Sequence, residues 1–174
     1  MDETVSVKHT PPLRWKSRCG RYTVTVSPTC LNHLLDMACG RYPCEVGTSL
    51  VGCYSSDGFD ATVLDTVPLS SDSRGSATSF YRGVKGLRRF FAVLRRTYLG
   101  RRYYVGEWHS HPDASPTPSY SDDEDLSAIA SDTQTNCPEC ILVILGGNPF
   151  DVPELGVFVY SRKEGRVDLF PDEE

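Results

Sequence analysis

The sequence lacks the segments that membrane and secreted proteins need. It contains no apolar run of about eighteen residues, the length that spans a bilayer. Its N-terminus also lacks a basic stretch followed by an apolar one, the pattern of a secretory signal. At 174 residues the chain is long enough for one domain with a single substantial core. We therefore expect a cytoplasmic protein with no membrane partner.

Basic residues also do not outnumber acidic ones. The chain has 18 lysine and arginine residues against 23 aspartate and glutamate residues, a net charge of −5. Because nucleic-acid-binding domains are usually basic, this balance argues against a general nucleic-acid binder. Positive charge is concentrated around one predicted helix, in Arg88, Arg89, Arg95, Arg96, Arg101 and Arg102. A solvated helix face is the simplest interpretation, and an acidic protein partner is the alternative.

The cysteines do not suggest a disulfide framework. There are seven, an odd number, and their spacing is irregular, so we expect most of them to be reduced and buried. Cys137 and Cys140 form the one Cys-x-x-Cys pair, which could be half of a zinc knuckle. The sequence has no second such pair, so a structural turn is the favoured interpretation.

Histidine is scarce, and two of the four histidines stand in the segment Gly-Glu-Trp-His-Ser-His-Pro. If residues 103–111 form a strand, His109 and His111 project from the same face, because strand side chains alternate with a period of two. Two neutral imidazoles and a carboxylate fill three corners of a zinc tetrahedron, and a catalytic site leaves the fourth to water. Asp122 is the candidate third ligand, and Asp123 is the fallback. A half-buried structural pair of histidines is the alternative.

Hydrophobic periodicity predicts an α/β or α+β domain over residues 19–174. Residues 1–18 lack periodicity and contain two prolines, so we expect a flexible N-terminal arm there. The predicted elements are a strand at 22–26, a helix at 28–40, a hairpin at 45–67, a polar loop at 70–79, a helix at 84–100, a strand at 103–111, a short helix from 122 capped by Ser121, and strands at 141–145, 155–160 and 167–169. This order fits a single mixed β-sheet flanked by two to three helices.

Two of these elements carry further expectations. The helix at 84–100 has an apolar stripe, which we expect to belong to the core, opposite its arginine face. The loop at 70–79 is long and rich in serine, glycine and aspartate. It is either mobile or an insert that faces the substrate.

The spacing His-x-His, seven residues, Ser, two residues, Asp resembles the signature of the JAMM (MPN-plus) metalloproteases. All four positions match, as His109, His111, Ser119 and Asp122. The surrounding sequence looks most like the bacterial JAB-domain branch, found in operons with ubiquitin-activating-like and conjugating-like enzymes. The resemblance covers roughly residues 20–160, but only the motif is specific.

The resemblance implies a cytidine-deaminase-like MPN/JAMM domain with one zinc ion and a bound catalytic water. His109, His111 and Asp122 would be its ligands, and Ser119 would assist the carbonyl oxygen of the substrate. Glu45 matches the family's general base, because it opens a glycine-containing strand one helix after the first strand. The residues after it depart from the family's usual Gly-Gly-x-Leu-x-Gly, so an exposed glutamate at a strand start is the alternative.

By this resemblance, the expected reaction is hydrolysis of the peptide or isopeptide bond after the C-terminal glycine of a ubiquitin-like protein. The expected partners are that protein, its conjugates, and operon-encoded activating and conjugating enzymes in an antiphage system. An extended tail could add as a strand in a groove lined by Gly47 and the Gly75 loop. Two alternatives are processing of a sulfur-carrier protein in cysteine or cofactor biosynthesis, and a non-catalytic MPN scaffold. Such scaffolds typically lose the metal ligands, which are kept here.

Overall fold

The computed structural model describes residues 13–172. In this range the helices are α1 (Pro28–Arg41), α2 (Leu87–Thr97) and α3 (Tyr120–Ser131). The strands are β1 (Leu13–Ser17), β2 (Thr23–Val26), β3 (Gly47–Tyr54), β4 (Asp60–Thr66), β5 (Arg74–Gly75), β6 (Phe80–Tyr81), β7 (Tyr103–Pro112), β8 (Glu139–Gly147), β9 (Glu154–Ser161) and β10 (Gly165–Pro171). Within the same residues, no helix combines the length and the apolar character needed to cross a membrane.

Eight strands form one closed barrel in the order β1-β10-β9-β8-β7-β3-β4-β2. The pairs β2–β4 and β7–β8 are parallel, and the other six neighbouring pairs are antiparallel. The predicted mixture of strands and helices is confirmed, as is the hairpin formed by β3 and β4. The expectation of a single mixed sheet flanked by two to three helices is corrected in one respect, because the sheet closes into a barrel and its eight strands have no free edge.

Closure depends on β1, which pairs with β2 on one side and with β10 on the other. Residues 13–17 were expected to belong to the flexible arm, because the two prolines before them suggested extended chain. Trp15 supplies the reason for the strand, since its side chain is 5% exposed and lies in the main hydrophobic cluster. Residues 1–12 lie outside the described residues, so the rest of the arm stays a prediction.

Two hydrophobic clusters cover opposite faces of β8. Ile141, Val143 and Leu145 pack in the cluster that contains α1, whereas Leu142 and Ile144 pack in the cluster that contains α3. This division follows the period of two along a strand, and it explains why β8 is an uninterrupted apolar run. The sheet is therefore held between α1 and α3.

The second helix, α2, does not contribute to the core. None of its residues is buried, so the prediction that its apolar stripe is core is wrong. Val93 on the helix is 55% exposed, and Val84 just before it is 59% exposed. Its main aromatic contact with the barrel is an edge-to-face pair between Phe91 and Tyr104, with ring centroids 6.1 Å apart. The helix thus lies on the surface beside β7.

A bulge in β7 determines which side chains share a face with the histidines. The register between β3 and β7 shifts beside Gly106, whose φ is 155°, and a Cβ there would lie 2.0 Å from the Ile141 carbonyl oxygen. The extra residue places Tyr104 and Glu107 on one face, where the Tyr104 hydroxyl donates to the Glu107 carboxylate at 2.7 Å. Alternation from Glu107 onward then puts His109 on that face too.

Candidate metal centre and active site

The C-terminal half of β7 brings the two histidines together. The prediction of a strand at 103–111 is confirmed, and the rings of His109 and His111 lie side by side, with their Nε2 atoms 3.0 Å apart. The two side chains are 11% and 14% exposed. The backbone of β7 pairs with β3 as far as His109 and with β8 past His111, which fixes the strand that carries both imidazoles.

The third candidate ligand comes from the first turn of α3. Asp122 Oδ1 is 3.4 Å from His109 Nε2, and Asp122 Oδ2 is 3.7 Å from His111 Nε2. The prediction that Ser121 caps this helix is wrong, because Ser119 is the N-cap and the helix begins at Tyr120. The earlier start places Asp122 at the third helical position, where its side chain turns back towards the N-cap and the histidines.

These three side chains fit a zinc ion. Donors that are 2.0–2.2 Å from zinc at tetrahedral corners lie about 3.3–3.6 Å from one another. The separations of 3.0, 3.4 and 3.7 Å are close to that range. Within residues 13–172, this is the one group of His, Cys, Asp or Glu side chains arranged to hold a metal ion. Cys137 and Cys140 are buried beside α3, as expected for a structural turn.

The hydrogen bonds around the histidines favour metal binding. His111 Nδ1 lies 3.2 Å from the Ser115 carbonyl oxygen, so Nδ1–H donates there and the Nε2 lone pair faces the cluster. Burial lowers the pKa of His111, and the neighbouring His109 lowers it further, which keeps the ring neutral at neutral pH. Burial by itself would raise the pKa of Asp122, but contacts with His109 and Ser119 outweigh it and hold that pKa well below its usual range.

The neighbouring carboxylate, Asp123, points away from the histidines. Its Oδ1 accepts a hydrogen bond from the Tyr160 hydroxyl at 2.6 Å, and both its oxygens lie 3.0 Å from Arg166 Nη1. These contacts tie the first turn of α3 to β9 and β10, and they leave Asp122 as the carboxylate beside the histidines. No local pattern pointed to Tyr160 or Arg166, because they are 37 and 43 residues away from Asp123.

Glu45 lies just before β3, close to the same cluster. Burial raises the pKa of its carboxyl group, while the neighbouring His109 lowers it and Asp122 raises it, so both residues lie close enough to act on Glu45. The Glu45 amide donates to the Ser76 carbonyl oxygen at 2.7 Å. Gly75 packs on the Glu45 carbonyl oxygen so tightly that a Cβ on Gly75 would lie 2.0 Å from it. The hairpin of β5 and β6 therefore lies directly against Glu45.

A small cavity of about 170 Å³ opens between this hairpin and Glu45. Its lining includes both charged and apolar side chains, among them Arg41, Leu69, Arg74 and Phe80. Gly75 lines it as expected, but Gly47 does not. Gly47 packs against β7, where a Cβ would lie 2.2 Å from the Trp108 carbonyl oxygen. Gly47 therefore allows β3 and β7 to approach each other beside His109.

Comparison with known proteins agrees with this geometry. Residues 27–159 match the family described as prokaryotic homologs of the JAB domain. The chain belongs to this family. A relative from Enterobacter hormaechei subsp. hoffmannii (strain UCI 50), named CD-NTase/cGAS isopeptidase, is 34% identical over 148 residues, which cover 85% of this chain and 81% of that protein. These two matches support a bacterial JAMM-type hydrolase of the peptidase class.

A solved structure shows the same fold for this JAB-domain chain. The solution structure of protein DSY2949 from Desulfitobacterium hafniense superposes with a TM-score of 0.56 and 20% sequence identity. The match covers 86% of this chain and 90% of that chain. At this level of identity the likeness concerns the fold alone.

Proposed function

We propose that this JAB-domain protein is a zinc-dependent isopeptidase that cleaves after the C-terminal glycine of a ubiquitin-like protein in a bacterial antiphage conjugation system. The observation that carries the proposal is the convergence of His109, His111 and Asp122 from β7 and α3, with Glu45 beside them. The isopeptidase name of the relative at 34% identity supports the reaction class. The chain keeps all three candidate metal ligands, which argues against a non-catalytic scaffold.

The three proposed ligands would hold zinc, which supplies polarisation of the scissile carbonyl and acidification of a bound water. Glu45 takes the proton of the attacking water on its carboxylate and passes it to the leaving amine, which cannot depart unprotonated. Burial raises the pKa of Glu45 towards neutrality, which suits a group that must both accept and release a proton. The products are a free C-terminal carboxylate and an amine.

Ser119 is the proposed donor to the carbonyl oxygen as negative charge develops on it. In the structure the Ser119 hydroxyl donates to Asp122 Oδ2 at 2.6 Å. It would have to share or exchange this hydrogen bond to reach the substrate. Its second function, as N-cap of α3, is independent of any substrate.

The substrate tail is proposed to bind at the β5–β6 hairpin. The eight-stranded barrel is closed, whereas this two-stranded sheet is separate from it and lies beside Glu45. An extended tail that ends in glycine could add to this small sheet by main-chain hydrogen bonds. Glycine would suit the approach to Glu45, because larger side chains would meet the surrounding backbone.

The name of the relative supplies a second candidate substrate, an isopeptide bond that joins a CD-NTase to another molecule. The test is cleavage by the purified protein of three matched substrates, each joined to a lysine side chain or a short extension through its C-terminus. They are a bacterial ubiquitin-like protein that ends in glycine, a CD-NTase and a sulfur-carrier protein. Cleavage of the first that stops with a zinc chelator and returns with zinc supports the proposal. Preference for another substrate reassigns it, and failure on all three with zinc bound refutes peptidase function.

A further inference from the structure

A buried acidic side chain lies beside the metal centre without belonging to it. Glu107 is 7% exposed and is the one charged residue among the buried residues of the described range. It is on β7, two residues before His109 and on the same face. A carboxylate in such a position is costly unless other groups compensate its charge and satisfy its oxygens.

The compensation comes from three separate parts of the chain. Tyr104 on β7 donates to Glu107 Oε1 at 2.7 Å, and Ser49 on β3 donates to the same oxygen at 3.3 Å. Arg82, which follows β6, forms an ion pair with this oxygen and also donates to Ser49 Oγ at 3.0 Å. The Arg82 side chain is 33% exposed and the Glu107 side chain 10%, so the pair is largely shielded from solvent.

Arg82 belongs to residues 70–86, here called the insert. Its two ends are held together by Asp72, which accepts from the amides of Val84 and Lys85, and by Ser73, which accepts from the Gly83 amide at 2.9 Å. The insert is therefore a closed unit that contains the β5–β6 hairpin.

The insert contacts the site at two points. Ser76 accepts from the Glu45 amide at 2.7 Å, and Arg82 reaches Glu107 on the strand that carries both histidines. We infer that Arg82 and Glu107 are positioning residues, whose buried ion pair locks the insert to β7 and thereby fixes the hairpin over Glu45. Neither residue is assigned a role in proton transfer.

Such a pair contributes more to the unique placement of the insert on the barrel than to the free energy of folding. A buried ion pair often contributes no more to folding than apolar side chains of the same volume, because both charges lose their water. It does, however, accept only one arrangement of the insert on the barrel.

The first test does not require activity. Amide hydrogen exchange is measured on the full-length, zinc-loaded protein for Arg82→Gln, Glu107→Gln and the control Arg95→Gln, an exposed arginine of α2. Exchange in the insert and at the Glu45 amide should rise by at least about tenfold in the first two variants, because a local opening becomes easier. Exchange in β8 and β9 should stay unchanged. Unchanged exchange in the insert, or a uniform rise across the barrel, overturns the inference.

The second test rests on the proposed function and uses the cleaved substrate. The two single variants and the double variant should each show a roughly ten- to hundredfold lower kcat/KM, mainly through a higher KM. The three losses should be similar, because each variant breaks the same ion pair and so misplaces the same substrate-binding surface. Zinc content should be unchanged, and Arg82→Lys should recover much of the loss.

If a single variant fails to fold, the comparison uses Arg82→Lys and the double variant Arg82→Gln/Glu107→Gln, in which neither side chain is charged. Additive losses, or wild-type kinetics in all variants, overturn the inference. If the wild-type protein cleaves nothing, the proposed function fails and the exchange measurement still decides.

Discussion

Ser119 and Asp122 hold each other through three hydrogen bonds at the start of α3. The Ser119 hydroxyl and amide donate to Asp122 Oδ2 at 2.6 and 2.7 Å, and the Asp122 amide donates back to Ser119 Oγ at 3.2 Å. This capping box fixes the start of the helix and the direction of a candidate metal ligand together. The helix cap and the proposed metal site therefore depend on the same two side chains.

The first prediction is that Ser119→Ala weakens zinc binding as well as turnover. Loss of the cap should destabilise the protein by about 1 kcal/mol. Ser119 hydrogen-bonds the candidate ligand Asp122, and loss of such a bond should lower zinc affinity by roughly ten- to a hundredfold. At saturating zinc, turnover should still fall by roughly ten- to a thousandfold if Ser119 also stabilises the oxyanion. Zinc titration and steady-state kinetics separate the two effects.

The control for this prediction is Ser121→Ala. Ser121 Oγ lies 3.0 Å from Ser119 Oγ, whereas the hydrogen bonds of the capping box join Asp122 to Ser119. Zinc affinity and turnover should stay near wild type. Zinc affinity unchanged in Ser119→Ala would show that Asp122 is held without it.

The second prediction concerns the ligand set. His109→Ala, His111→Ala and Asp122→Ala should each lose stoichiometric zinc, because only two protein ligands remain. The loss of zinc affinity should exceed the roughly ten- to hundredfold typical of removing a residue that only hydrogen-bonds a ligand. Asp123→Asn is the matched control, since Asp123 is held by Tyr160. Metal analysis of the purified variants is the measurement. Zinc retained by a ligand variant, or lost in Asp123→Asn, would reassign the third ligand.

The sequence predicted which side chains of the candidate site lie together better than it predicted what surrounds them. A period of two along β7 was enough to place His109 and His111 together, because it is a local property of any strand. No local pattern decides whether Asp122 or Asp123 is the third ligand. That choice depends on where α3 begins and on the contacts of Asp123 with Tyr160 and Arg166, which are distant in sequence.

Two expectations were wrong because they depended on tertiary structure. The apolar stripe of α2 predicted burial, but none of the residues of that helix is buried. An amphipathic pattern does not reveal how much of a helix its neighbours cover. In residues 13–17 only Leu13 and Trp15 are apolar, which was too little to indicate a strand directly after two prolines. Closure of the barrel through β1 is consequently visible only in three dimensions.

The third prediction is that zinc stays bound below pH 6.5. Burial lowers the pKa of His111 from its ordinary value of 6.5, and His109 lowers it further, while Ser115 and Asp122 act in the opposite direction. A lowered pKa means that protons compete with the metal for Nε2 only at more acidic pH. Zinc retention against a fixed chelator is measured from about pH 8 to pH 5, with correction for protonation of the chelator. Half-release at pH 6.5 or above would contradict the prediction.

The last prediction assigns proton transfer to Glu45. Glu45→Gln keeps the size of the side chain, and the contacts of the Glu45 backbone with Ser76 and Gly75 do not involve the carboxylate. Zinc content, thermal stability and substrate affinity should therefore survive. Hydrolysis should fall by at least about a hundredfold, because the amide cannot accept the proton of the attacking water.

The matched control is Glu124→Gln, which removes an exposed carboxylate of α3. It should leave hydrolysis unchanged. Glu107 is the other carboxylate close to the motif, but it is bound by Arg82, Tyr104 and Ser49. Full activity in Glu45→Gln would mean that another group carries the proton, and the pH–rate profile of the variant would then show its pKa. Activity lost together with zinc would instead make Glu45 a part of the metal site.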